Sequence, residues 1–247
     1  MLQRSIVAWS KHQSSIKKRL HTLKQPVKLV LFTGMLLLMT LTPAMTMAHT
    51  INYALEKAPV SNVVWFYMRL GVLHIIPYGT DHILFITSLC LLSNRIKTIL
   101  WQATAFTVAH SVTLALSMKN ILMAPGAIIE PIIALSILFV AVENVLYRQL
   151  KPSRILIVFL FGLIHGMGFA SVLNETGLPR NKFYTAILSF NAGVEIGQAT
   201  IIVLVFLLIV IPFGKKAWYT KFVVYPVSAV IAVIAAYWFI KRAFFAS

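Results

Sequence analysis

Two histidines and one aspartate crowd into nine residues of otherwise uncharged sequence, His-Ile-Ile-Pro-Tyr-Gly-Thr-Asp-His at residues 74–82. The 247-residue chain has only six acidic residues, and four of them, Asp81, Glu130, Glu143 and Glu195, lie inside strongly apolar segments. Four of the seven histidines do the same: His74, His82, His110 and His165. An ionised carboxylate at the centre of a bilayer costs about 3 kcal/mol or more, so residues of this kind in a membrane segment mark function by default. Imidazole and carboxylate together are a donor set that divalent transition metals accept. The chemistry indicated is the handling of a metal ion inside a membrane.

Local sequence supports a special backbone at the first of these sites. Pro77 removes a backbone donor and Gly79 permits unusual dihedrals, so a helix must break there, with Asp81 and His82 opening the next one. Asp81 at a helix start is also a natural cap, and each histidine is also explained by a hydrogen bond to a carbonyl. His110 sits in Phe-Thr-Val-Ala-His-Ser and His165 in Phe-Gly-Leu-Ile-His-Gly, both with Phe four residues before and a small residue after. Gly162, Gly166 and Gly168 allow close helix approach around His165. Glu195 lies in Asn-Ala-Gly-Val-Glu-Ile-Gly-Gln, with Asn191 one turn before it on the same helix face. Asn144 and Gln198 are neutral groups able to line a path. Glu130 and Glu143 lie nearer segment ends, where a carboxylate can snorkel towards water. The expected metal ligands are His74, Asp81, His82, His110, His165 and Glu195, with His49, Glu143 and Asn191 as secondary candidates.

These residues must be carried by membrane helices. The chain is 59% hydrophobic, with a mean hydropathy of +0.85. Apolar segments run over 61–76, 80–93, 98–118, 127–147, 155–173, 185–211 and 222–240. Helix is the only open-chain structure that satisfies its own backbone in lipid, and the alternating strands of a β-barrel are absent. The expected fold is an all-α polytopic bundle with six crossings built from about seven helical segments. Its first span is broken at Pro77–Gly79.

The net charge of +16 could suggest a nucleic-acid partner. Seven of the 22 basic residues precede residue 29, however, and most others sit in short loops between apolar runs. That is the positive-inside pattern, and it excludes nucleic acid as the partner. With the mature N-terminus outside, six crossings put Arg95, Lys97, Arg148, Lys151, Arg154, Lys215, Lys216 and Lys221 on the inner side. The basic start, the apolar run at 30–41 and Thr-Met-Ala at 46–48 predict a secretory signal over residues 1–48, cleaved to leave His49 at the mature N-terminus. An uncleaved anchor is the alternative. Residues 49–247 then form one transmembrane domain.

The single cysteine, Cys90, excludes an internal disulfide and a thiolate cluster. No P-loop is present, and no Gly-x-Ser-x-Gly or His-Glu-x-x-His motif. Transport would run on gradients, partners or voltage. A divalent cation moving inward gains about 4.6 kcal/mol at 100 mV.

At these residues the chain resembles the HupE/UreJ family of bacterial membrane proteins, and its second subgroup in particular. The matching pieces are 73–85, 106–114, Glu143-Asn144, 161–170 and 190–198, in order along most of the mature chain. The resemblance implies a multi-pass inner-membrane permease for nickel or cobalt, or an accessory protein of hydrogenase or urease maturation, with no required cofactor. Zinc is the lesser candidate for the ion. Family members typically carry a histidine close to the mature N-terminus, as His49 would be. The better-known ones have five residues between the first histidine and Asp-His. Here six separate His74 from Asp81, which favours carrying the metal role to Asp81 and His82 over His74. The rival readings are an intramembrane zinc hydrolase, a haem protein with His110 and His165 as axial ligands, and a metalloenzyme assembly factor that carries no ion.

Overall fold

The computed structural model describes residues 52–119, 121–122, 124–147 and 154–245. The segment 1–48 expected as a signal, His49, Arg148 and Lys151 lie outside the described residues. Eight helices make up the described chain: α1 (Asn52–Lys57), α2 (Val60–Ile75), α3 (Thr80–Leu91), α4 (Ile96–Met118), α5 (Gly126–Leu146), α6 (Arg154–Thr176), α7 (Phe183–Phe213) and α8 (Thr220–Phe244). The seven apolar segments of the sequence all reappear as helices, within a few residues at each end. Helices α4, α5, α7 and α8 are each long and apolar enough to cross a bilayer, and α2 with α3 form a fifth span bent by 67° at the break. Helix α6 adds a shorter apolar stretch, Arg154–Ala170. Many large apolar side chains, among them Leu188, Leu207, Val233 and Phe244, point outward. In lipid that is the expected partition, and the chain is a multi-pass membrane protein.

The helices associate in three pairs, α2 with α7, α4 with α6 and α5 with α8. Without a hydrophobic drive inside lipid, pairing depends on close backbone approach at small residues. Gly71 lies against the Phe190 carbonyl and the Val194 amide, and Gly193 lies reciprocally against Met68 and Val72. Gly162 and Gly166 do the same for α6, against the Phe106 and His110 carbonyls of α4. Further along, Gly197 lies against Ile75, so positions rise together from Gly71 to Ile75 on α2 as they do from Phe106 to His110 on α4, and each pair is parallel. In the third pair Asn144 meets Ser228, and the Glu130 carbonyl meets Arg242, so α5 and α8 are antiparallel.

Helix α3 is the centre of the molecule. Every residue from His82 to Leu91 is buried. Its 12 residues are apolar on nearly all sides, and a helix of that kind has to be enclosed on all sides. It is fastened at both ends. At its start Asp81 is bound by Arg242 of α8. At its far end Asn144 Nδ2 of α5 donates to the Ser88 carbonyl (2.8 Å) and lies 3.0 Å from Ser88 Oγ and 3.3 Å from Ser228 Oγ. The Tyr219 hydroxyl donates to the Leu91 carbonyl at 3.2 Å. Arg154, the first residue of α6 and only 1% exposed, donates to Asn144 Oδ1 (3.3 Å), and its Nε stands 3.5 Å from Glu143 Oε2. At the opposite end of the bundle, Lys182 Nζ donates to the Glu56 and Ala58 carbonyls, and the Tyr67 hydroxyl donates to the Gly177 carbonyl.

Backbone contact at Gly193 leaves no room for a side chain, whereas a Cβ on Gly126 meets nothing closer than 3.8 Å. Gly193→Leu is expected to lower stability by about 3 kcal/mol or more, at the upper end of overpacking, and Gly126→Ala to leave it unchanged. Thermal unfolding in detergent reads the difference. Arg154→Met strands the buried Glu143 charge and should cost about 3–5 kcal/mol. Adding Glu143→Leu should recover most of that loss, and the same assay checks it.

Candidate metal centre

The break between α2 and α3 is a tight backbone turn. The amides of Ile76, Tyr78 and Gly79 return to the carbonyls of Val72, Leu73 and Ile75, and Ile83 restarts the helical pattern by donating to Gly79. Position 79 admits only glycine, because a Cβ there would collide with the His74 carbonyl. The turn brings the last residues of α2 beside the first residues of α3, so the His74 and His82 ring centroids stand 4.8 Å apart. The extra residue between His74 and Asp81 does not keep His74 out of the cluster.

Two more imidazoles close the group. His110 of α4 is 6.2 Å from both His74 and His82, and His165 of α6 is 5.4 Å from His82, centroid to centroid. The close glycine-mediated packing of α4 on α6 sets their approach. His82, His110 and His165 are buried. Aromatic rings pack around the cluster: Phe106 against His82, His110 and His165, Phe85 against His165, and Phe169 and Phe190 against His74. The Phe four residues before each of His110 and His165 therefore has two different tasks. Phe106 contributes its ring, and Phe161 contributes its carbonyl.

His165 Nδ1–H donates to that Phe161 carbonyl at 2.8 Å. A carbonyl can only accept, so the Nδ1 proton is assigned and the Nε2 lone pair is left free. Orientation of a ligating histidine through its other nitrogen is a recurrent feature of metal sites. Nε2 of His165 has no hydrogen-bond partner, nor do Nε2 of His74, Nε2 of His82, or either nitrogen of His110, all of them buried. Each unmet buried polar group costs about 1–3 kcal/mol. Four rings from four helices thus hold five unpaired nitrogens in one apolar enclosure. Among the described residues no three His, Cys, Asp or Glu side chains stand in a geometry that holds a metal ion as they are. Imidazole nitrogens on a metal lie about 2.0–2.1 Å from it. The rings are gathered but not drawn in around one point.

The carboxylates are engaged elsewhere. Both oxygens of Asp81 face Arg242, with Nη1 to Oδ2 at 2.9 Å and Nη2 to Oδ1 at 3.2 Å. Gly79, and not Asp81, occupies the cap position of α3, with no side-chain cap. Glu195 accepts from the Thr104 hydroxyl at 2.7 Å through Oε1, and its Oε2 is buried without a partner. Beside it the Thr107 hydroxyl lies 3.2 Å from Gln198 Oε1, so α4 and α7 share a short polar seam. Asn191 Nδ2 donates to the Ile187 carbonyl. Glu143 belongs to the Arg154 network, and Glu130 is exposed. Cys90 is buried eight residues beyond His82 along α3.

Sequence reasoning missed Arg242 and Arg154. Both read as basic residues at segment ends, where positive charge is expected on other grounds. The available signal was scarcity, because two buried or half-buried acids need two cations and few lie within reach. The hydroxyls of Thr104 and Thr107 carried no signal of their own.

The sequence profile of the family described as HupE / UreJ protein, in its second group, matches residues 50–242. No curated protein and no solved structure matches the chain. The matched stretch takes in all four clustered histidines, the α2–α3 break and both ion pairs. By that match the chain belongs to the HupE/UreJ family, whose members are membrane proteins of transporter type.

Proposed function

We propose that this protein is an inner-membrane permease for a divalent transition-metal ion, nickel or cobalt, and that His74, His82, His110 and His165 form its intramembrane waypoint. The observation that carries the reading is the convergence of five unpartnered, buried imidazole nitrogens from four helices. Unpaired polar groups cost stability, and a metal ion that accepts their lone pairs offsets that cost. Neutral imidazole suits nickel, cobalt, copper and zinc, and the family favours nickel or cobalt. Rings that must swing inward to close on an ion bind it less tightly than a preformed cage, which suits cargo that has to leave.

The helix directions support six crossings. From α2–α3 through α8, each successive span runs opposite to the one before. The inner end then holds Arg95, Lys97, Lys215, Lys216 and Lys221, as the positive-inside rule requires. With residues 1–48 cleaved as a signal, both mature termini lie outside and His49 meets the ion first. Asp81 stands at the outer approach to the histidines. Glu195, with Thr104, Thr107 and Gln198, continues inward from His110, with Asn191 on the same helix. Glu143, held by Arg154, belongs to the inner closure that the ion passes last.

Cells lacking their own nickel and cobalt importers should accumulate either metal, read by elemental mass spectrometry, only when they express the intact protein. His82→Ala/His110→Ala at equal membrane level should lower accumulation at least about ten-fold, the scale of lost metal-site interactions. No excess metal with the intact protein rejects the permease reading. X-ray absorption of nickel-loaded purified protein should show nitrogen and oxygen neighbours at about 2.0–2.1 Å with imidazole outer-shell scattering. A sulfur neighbour would place the ion at Cys90 or a methionine thioether and away from the histidines.

A further inference from the structure

The two ion pairs at the ends of α3 differ in kind. The inner one joins Glu143 to an arginine that is 1% exposed and enclosed on every side. The outer one joins Asp81 to Arg242 through two parallel contacts, with side chains 20% and 23% exposed. A pair buried as deeply as the inner one is strongly disfavoured from opening, because each separated charge would stay desolvated. A part-exposed pair is weak, because water can take the place of either partner. The outer pair is therefore the one that a competing cation can open.

Arg242 also has somewhere to go. Its guanidinium already lies 5.2 Å from the centre of the Trp238 ring, and its Nη1 is 3.4 Å from the Glu130 carbonyl. An arginine that releases Asp81 keeps a cation–π contact and a carbonyl acceptor. Asp81 is one residue from His82 in the first turn of α3. Any ion passing to the histidines from that side meets a carboxylate whose two oxygens are both occupied by a tethered cation.

We propose that Arg242 is a built-in competitor for Asp81, a tethered monovalent cation that the incoming divalent ion displaces, so that it limits how tightly the outer mouth holds its cargo. This rests on the metal-carrying role proposed for the same site. A doubly charged ion outcompetes a guanidinium at a carboxylate with an imidazole beside it, whereas a monovalent ion does not. The return of Arg242 to Asp81 then helps to expel the ion towards the histidines.

Nickel binding to the purified full chain in detergent, measured by isothermal titration, tests the competition. Arg242→Gln should bind nickel at least three-fold more tightly than the unaltered protein. The gain should vanish when Asp81→Asn is present in both. Unchanged or weaker nickel binding by Arg242→Gln, or tighter binding that persists beside Asp81→Asn, overturns the proposal. A latch that only holds α3 to α8 predicts the former, with a lowered Tm. If Arg242→Gln gives no folded protein, Arg242→Lys takes its place. A single ammonium without the fork should give a smaller gain in the same direction, and no gain overturns the proposal. Uptake in cells is read separately. Binding that follows the expected pattern without uptake by the unaltered protein rejects the permease and leaves the competition standing.

Discussion

A short helix enclosed on every side within a bilayer protein is the constraint on which the rest of this structure depends. Helix α3 cannot span a membrane alone at 12 residues, and it exposes almost none of its length. Its own backbone is satisfied internally except at its ends, where lipid offers no replacement partner. The surrounding helices supply what the ends need. Tyr219 and Asn144 reach carbonyls at the far end, and the Gly79 turn and the Asp81–Arg242 pair close the near end. The three helix pairs follow from the same demand, because six helices must pack tightly around α3. Glycines at the α2–α7 and α4–α6 contacts allow that approach.

The same enclosure sorts the polar side chains into two kinds. Those at the ends of α3 are partnered: Glu143 with Arg154, Asn144 with Ser88, and Asp81 with Arg242. The imidazoles near its start are not, apart from the single hydrogen bond of His165 to Phe161. A fold selected only for stability would fill such a space with hydrocarbon. Unmet nitrogens gathered in one enclosure are understandable when a ligand meets them for part of the time. Under the proposed permease role, the buried pairs at the far end of α3 hold the scaffold, and the unpartnered imidazoles, with Asp81 once Arg242 releases it, meet the ion.

Much of this was legible in the chain, for a physical reason. Lipid permits one open-chain architecture, so hydropathy and length suffice to locate the helices, and all seven segments fall where the apolar runs lie. The break was legible because proline and glycine act through their own backbones. The four histidines stood out because an imidazole inside an apolar segment is rare. The family, too, was legible in the order of those motifs. Helix capping was the plain alternative to a metal role for Asp81, and in the structure a long-range partner holds the carboxylate in place of the local amides.

Sequence by itself determined the helices, the break between α2 and α3, and which polar residues those apolar helices carry. These depend on local propensity and on the solvent, both of which each segment meets alone. Only the tertiary structure decided which polar groups meet. Arg242 lies 161 positions from Asp81, and Thr104 lies 91 from Glu195. No periodicity or motif encodes such a separation. The pairing comes from how the helices cross, and that is set by backbone contacts at a few glycines. It is this crossing that gathers His74, His82, His110 and His165 into one enclosure and assigns the nearby carboxylates Asp81 and Glu195 to other partners.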